Sequence, residues 1–198
     1  MEGDKGIHPG LIGFDIDCVV ADTMEAFIRL AMIDYGIKVL PEDITSFQVE
    51  SCLAVPPSII DEIFSRLLLA PVENGLKPMA HAVAVLTEMS ACAPVTFITA
   101  RPEREPVDRW LESNFPQDVY RNSRLVAMGK HDGKAQYVRE LGLQYFVDDR
   151  VETCIELALA GISPIVFAHP WNRGRHSFAS IDSWLDIKQR IFINEYVS

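Results

Sequence analysis

The chain has 198 residues, of which 48% are hydrophobic and 23% charged, enough for one sizeable domain carrying a modest insertion. Its formal net charge of −10 argues against a broad footprint on a nucleic-acid polymer, which needs a basic stripe. No apolar run approaches the length of a membrane span, and no membrane partner is expected.

Residues 1–10 read as a flexible, polar lead-in without the apolar stretch of a secretory signal. The stretch Leu11 to Asp17 then runs apolar before turning acidic, and with Pro9-Gly10 ahead of it reads as a buried strand. Residues two apart in a strand share a face, so Asp15 and Asp17 are expected side by side near its C-terminal end. Carboxylates that close require a cation or a shared proton, unless the strand simply ends in solvated acids. Asp22 is expected to cap a helix, with Met24, Phe27, Ile28, Ala31 and Met32 at helical spacing and Gly36 as its stop. Pro41 and Asp43 open a short helical turn. Pro56-Pro57-Ser58 opens a second helix over Ile59 to Leu69, and Pro71, Asn74, Gly75 and Pro78 break the chain after it. No strand is expected between Asp22 and Lys77. Residues 22–77 therefore read as a small helical cap inserted after the first strand, with 11–21 and 78–198 as the core. Phe27, Met24 and Phe47 are expected in the packing of that cap.

From Met79 the rhythm changes. Helices are expected over Met79 to Ala91, over Pro102 to Asn114, over Gly133 to Leu141 with Asp132 as its cap, over Thr153 to Leu159, and over Ile181 to Ile193. Between them lie strands at Pro94 to Thr99, Leu125 to Met128, Tyr145 to Val147 and Ile165 to Phe167. This alternation predicts an α/β fold, a parallel sheet with helices on both faces. Ligands of such sheets lie beyond the carboxyl ends of the strands. That is where the polar residues fall: Asp15 and Asp17, then Thr99, then Asp148 and Asp149. The loop His169 to Arg173 follows a strand and should reach the same edge, either meeting a ligand or forming a plain surface turn. Cys18, Cys52, Cys92 and Cys154 are far apart in apolar settings and read as reduced thiols of a cytoplasmic protein.

Oxygen ligands with no His or Cys cluster suit Mg²⁺. Beside such an ion, Lys134 and the Thr99 hydroxyl can hold a phosphoryl group, which points to a small phosphorylated substrate. Phosphoryl transfer depends mostly on positioning and electrostatics, and a carboxylate can act as nucleophile. Read alone, Lys134 is equally a solvated lysine at a helix start.

Asp15-x-Asp17-x-x-x-x-Asp22, Phe97-Ile-Thr99-Ala-Arg101, Lys134 after Gly133, and Phe146-Val-Asp148-Asp149 resemble, in order and spacing, the four motifs of the haloacid dehalogenase-like phosphohydrolases. Within that superfamily, the segments Phe14 to Asp22, Thr99 to Pro102 and Val147 to Arg150 are most similar to the 5'-nucleotidase (deoxyribonucleotidase) group and its bacterial relatives. The resemblance implies a Rossmann-like three-layer sandwich, a helical cap, and Mg²⁺-dependent phosphomonoester hydrolysis through an aspartyl-phosphate. By position it makes Asp15 nucleophile and metal ligand. It makes Asp17 the general acid/base, with its main-chain carbonyl on the metal. Thr99 and Lys134 become phosphate ligands, joined by the Ala100 N–H and the Arg101 guanidinium. Asp149 becomes a metal ligand with Asp148 supporting it or acting through water. Cys18 departs from the family's usual glycine, which suggests a narrowed or strained loop and, in one reading, a phospho-ligand binder with weak turnover. Sugar-phosphate or phosphoglycolate-type hydrolysis is the other alternative.

Overall fold

Ile12–Phe14 forms the short central strand β1 of a sheet whose order explains where the acids gather. The computed structural model describes residues 6–191. Six strands run parallel in the order β3-β2-β1-β4-β5-β6: β2 is Val95–Thr99, β3 Ser123–Ala127, β4 Tyr145–Asp148, β5 Ser163–Phe167 and β6 Ala179–Ile181. The chain winds outward from β1 through β2 to β3, then returns to lay β4 on the other side of β1. The order therefore reverses between β1 and β4, and a crevice opens there beyond the strand ends. This is the expected Rossmann-like α/β architecture.

Alternation along the strands builds two cores. Ile12, Phe14, Val95, Phe97 and Val147 face one side, under α3 (Ala82–Ser90), α4 (Arg104–Asn114), α5 (Gln117–Arg121) and α8 (Trp184–Arg190). Ile98 and Phe146 face the other, under α6 (Lys134–Glu140) and α7 (Val151–Leu159). Gly13 belongs to this second face. A Cβ there would lie 2.7 Å from Leu143 Cδ1 and 3.0 Å from the Phe146 ring, so only glycine lets that layer close.

Between β1 and α3, the chain forms α1 (Thr23–Tyr35) and α2 (Pro57–Leu69) and no named strand. Asp22 caps α1 through the Glu25 N–H, and Gly36 ends it with φ 66°. The rings of Phe27 and Phe64 stack 5.0 Å apart and lock α1 to α2. Entry and exit of this segment are stitched together: Asp22 N–H donates to Lys77 O, and Met79 N–H donates to Val20 O, both at 2.8 Å.

Several local expectations are corrected. β1 stops at Phe14, not Asp17, because the chain curls at once: the Ile16 carbonyl accepts from Val20 and Ala21, and Cys18 N–H donates to Ala21 O. The α4 helix starts at Arg104, with Pro106 in its first turn in place of Pro102, where a missing N–H leaves no intrahelical bond unmade. Asp132 does not cap α6. Gly133 takes that place at φ 89°, and Glu156 of α7 accepts from the Gly133 and Ala135 N–H groups, both at 3.1 Å. Helix α5 and strand β6 were not foreseen, being too short to show a period. The last helix begins at Trp184 after a Ser183 cap; the expected end at Ile193 lies outside the described residues. Of the lead-in, Pro9–Leu11 forms a 3-10 turn with Pro9 buried, and Ile7 N–H donates to Arg190 O, which ties this part down.

Candidate functional site

Asp15 follows β1, and Asp148 and Asp149 end and follow β4, so the adjacency of these two strands brings acids 133 residues apart in sequence to one point. One carboxylate oxygen from each of the three lies within 4.8 Å of the others. Lys134, at the start of α6, reaches between them: its Nζ lies 2.6 Å from Asp148 Oδ2 and 3.1 Å from Asp15 Oδ1. Glu156 grips the backbone on both sides of Lys134 and so holds the root of that side chain. All four side chains are nearly buried. Burial drives the Asp15 carboxyl up to about 7; Lys134 opposes that rise, and Asp148 and Asp17 add to it. Burial, then Asp148 and Asp15, push Asp149 well above the usual carboxylate range. Burial works against the charge on Lys134, but Asp148 and Asp15 hold it protonated. With all three acids ionised, one lysine leaves net negative charge. Asp15 Oδ1 is buried with Lys134 Nζ as its charge partner at 3.1 Å and no well-aligned hydrogen bond. Carboxylate oxygens crowded this closely around a single lysine fit a hard divalent cation.

Asp17 lies outside this cluster. The Arg101 guanidinium grips its carboxylate with two bonds, Nε to Oδ2 at 2.9 Å and a terminal nitrogen to Oδ1 at 2.8 Å. The Thr23 hydroxyl, at the first position of α1, donates to Oδ1 at 2.6 Å. Burial opposes ionisation here, but Arg101 and Thr23 outweigh it and hold Asp17 below its ordinary value. The remaining Arg101 nitrogen donates to Leu67 O near the end of α2. Arg101 thus spans the core and the helical segment, and its guanidinium is engaged with Asp17, where a phosphate contact was expected. The planar fork of arginine matches a carboxylate in this way and lysine does not.

Thr99, at the end of β2, is buried with its hydroxyl accepting from Arg101 N–H at 3.3 Å. Thr99 and Ala100 line the same cavity as the acids and Lys134. That cavity measures about 770 Å³. Its outer wall is the helical segment: Met24, Phe47, Phe64 and Leu67. Phe47, expected in packing, is a wall residue; Met24 lines the cavity and also packs against the core as expected, and Phe27 is fully buried as expected. Phe47 is 39% exposed and meets the core across the opening: the His131 ring stands edge-on to it at 6.2 Å, and the Arg150 guanidinium lies 5.7 Å from its centre.

Reading the sequence missed Thr23 and Glu156; it placed the loop after β5 at this edge, where Trp171 and Asn172 line the cavity, but not the loop's partners. In that loop Trp171 Nε1 donates to Asp149 Oδ2 at 3.0 Å, and Trp171 is buried rather than part of a surface turn. Hydrogen-bond partners separated by 22 residues leave no trace in local patterning. Cys18 has φ 59°, the left-handed region that favours glycine, and its side chain is buried. Burial and the surrounding acids, Asp149 first, push its thiol well up and keep it unreactive. Cys18, Cys52 and Cys154 are free thiols.

Residues 9–196 match the model of the family described as 5' nucleotidase, deoxy (pyrimidine), cytosolic type C protein. A Bacillus cereus protein named "Putative nucleotidase" is 25% identical over 183 residues, covering 88% of this chain and 94% of the relative. Among solved structures, a protein titled a predicted phosphoglycolate phosphatase from Haemophilus somnus superposes with TM-score 0.59 at 14% identity, covering 91% of this chain and 96% of the other. CbbY from Rhodobacter sphaeroides in complex with phosphate superposes with TM-score 0.54 at 15% identity, covering 87% and 93%. At those identities the two structures share the fold.

Proposed function

The chain belongs to the cytosolic type C 5'-nucleotidase family of haloacid dehalogenase-like hydrolases, and from that premise we propose that it is a Mg²⁺-dependent phosphatase of nucleoside monophosphates. One observation carries this reading. Asp15, Asp148, Asp149 and Lys134 converge at the topological switch point of the sheet, three buried carboxylates around one lysine. Asp15, Asp148 and Asp149 hold the cation by side-chain oxygens, and Asp17 by its main-chain carbonyl. When bound, Mg²⁺ supplies positive charge against the phosphoryl oxygens and keeps the crowded acids ionised.

The protein groups act around it. Lys134, the Thr99 hydroxyl and the Ala100 N–H meet the phosphoryl oxygens that do not react. An Asp15 oxygen forms a bond to phosphorus while the bond from phosphorus to the leaving oxygen breaks, and Asp17 gives that oxygen a proton. Asp17 then takes a proton from water; the water oxygen bonds to phosphorus as the Asp15–phosphorus bond breaks, freeing inorganic phosphate. The Arg101 grip suits Asp17 to the second of these steps, which needs it ionised. Residues 22–77 act as the cap over a core of 11–21 and 78–198, a division supported by the paired entry and exit at Asp22–Lys77 and Val20–Met79.

The cavity has the size that accommodates a nucleoside, and Phe47 offers an aromatic face to its base. The free thiols of Cys18, Cys52 and Cys154 agree with a reducing cytoplasm. Among the described residues no helix is long and apolar enough to cross a membrane. The test is phosphate release from a panel of nucleoside monophosphates, sugar phosphates and p-nitrophenyl phosphate with Mg²⁺. Release from nucleotides above the others supports the reading. Preference for sugar phosphates moves it to that class, and no release from any member in parent and Asp15→Asn alike ends the enzymatic reading.

A further inference from the structure

The loop after β5 touches both halves of the acid site, and nothing in the reaction above uses it. Trp171 Nε1 donates to Asp149 Oδ2 at 3.0 Å. Asn172 Nδ2 donates to the main-chain oxygen of Asp149 and to that of Phe167, both at 2.8 Å. Asn172 Oδ1 accepts from His169 N–H at 2.9 Å, which closes the loop on itself. His169 Nε2 donates to Cys18 O at 2.7 Å, in the curl that follows Asp15 and Asp17. The His169 and Trp171 rings stack 4.2 Å apart at 7°, so the two contacts move together. Trp171 and Asn172 are buried.

We propose that His169, Trp171 and Asn172 form a brace that sets the separation and rotation of the metal-binding acids, with Trp171 as the positioning residue for Asp149. A carboxylate free to rotate presents its oxygens in many directions. The indole N–H occupies Oδ2, and Asn172 fixes the backbone it hangs from, so one rotamer is selected in advance of the cation. The His169 bond to Cys18 O ties the loop bearing Asp15 and Asp17 to the same rigid unit. The indole N–H donates to a carboxylate oxygen more favourably as that oxygen holds its charge, so the brace serves the ionised, cation-holding form of Asp149. This inference rests on the Mg²⁺ reading above.

The experiment is isothermal titration of Mg²⁺ alone into the folded protein, without substrate, for parent, Trp171→Phe, His169→Gln and Asp149→Asn. The phenyl ring keeps an aromatic face toward His169 and removes the N–H together with part of the indole's volume. Trp171→Phe is expected to weaken Mg²⁺ about tenfold or more, in the range usual for groups that orient metal ligands. His169→Gln should weaken it less, and Asp149→Asn should abolish binding. Trp171→Phe binding within twofold of the parent would overturn the brace while leaving the metal reading intact. A parent that binds no Mg²⁺ would overturn both. A second readout needs no tryptophan variant. Trp110 and Trp184 donate to the main-chain oxygens of Leu76 and Val19, so Mg²⁺ at Asp149 should change the emission of Trp171 chiefly. Calorimetric binding with no change in emission would also count against the proposal.

Discussion

The floor of the cavity and its outer wall are built on opposite plans. The floor consists of charged side chains, nearly all buried, each held by partners from a different strand or helix: Asp148 takes Lys134 at 2.6 Å and also the Arg150 N–H at 2.9 Å. The wall is partly open and mixes apolar Met24, Phe47, Phe64 and Leu67 with Ser46, Gln48 and Glu50, and Phe47 meets the core through ring and guanidinium contacts. Moving a floor residue breaks several strong interactions at once in a low dielectric. Moving a wall residue loses contact area. The floor is thereby suited to one chemistry held rigid, and the wall to choosing the group attached to the phosphate.

The largest break in that contrast should come from Asp15→Asn, which keeps shape and removes the proposed nucleophile: phosphate release is expected to fall by at least about 1,000-fold, measured as kcat on p-nitrophenyl phosphate. Retained turnover would move the nucleophile elsewhere. Next is Lys134→Met, which strands Asp15 and Asp148 without their shared cation. Breaking such a buried pair costs about 3 kcal/mol or more. At this chain length that lowers the melting temperature by about 6–12 °C, read by calorimetry without metal.

On the wall, Phe47→Ala should raise KM for a nucleoside monophosphate about tenfold, the scale of one lost aromatic contact, with kcat little changed. The same variant should leave KM for a small ester such as phosphoglycolate nearly unchanged. An equal effect on both would make Phe47 a structural contact only.

A pH test separates the brace from both regions. Burial holds the His169 ring below its ordinary value, with its Cys18 contact opposing that shift. Below about pH 6.5 the unfolded ring takes a proton that the folded ring resists, so this group's contribution is present at higher pH and fades as pH falls toward its folded value. Urea midpoints of parent and His169→Gln should therefore converge as pH falls from 7 to 5, and parallel curves would contradict it. The smallest effect is expected from Cys18→Gly. Relief of the positive φ gains about 1 kcal/mol, and the greater freedom of unfolded glycine with the loss of a buried thiol offsets it. Chemical denaturation should show a net change under about 1 kcal/mol, with activity retained.

Much of the molecule could be read in one dimension because its physics is local. Strand and helix periods in β2, β4, α1 and α2, the Gly36 stop and the Asp22 cap depend on neighbours a few residues away. The acids at successive strand ends and Thr99 were legible for the same reason: each closes an apolar run; Lys134 was legible from its place after Gly133 at a helix start. What could not be read was every pairing made across the fold. The Arg101 fork on Asp17 spans 84 residues, the Trp171 bond to Asp149 spans 22, and the His169 bond to Cys18 O spans 151. The sequence by itself determined an α/β chain with acids and a threonine at its strand ends and a lysine at a helix start. Tertiary structure decided which acids share one point and which one is drawn off by arginine, because the strand order that sets β1 beside β4 is a property of the folded sheet and of no local segment.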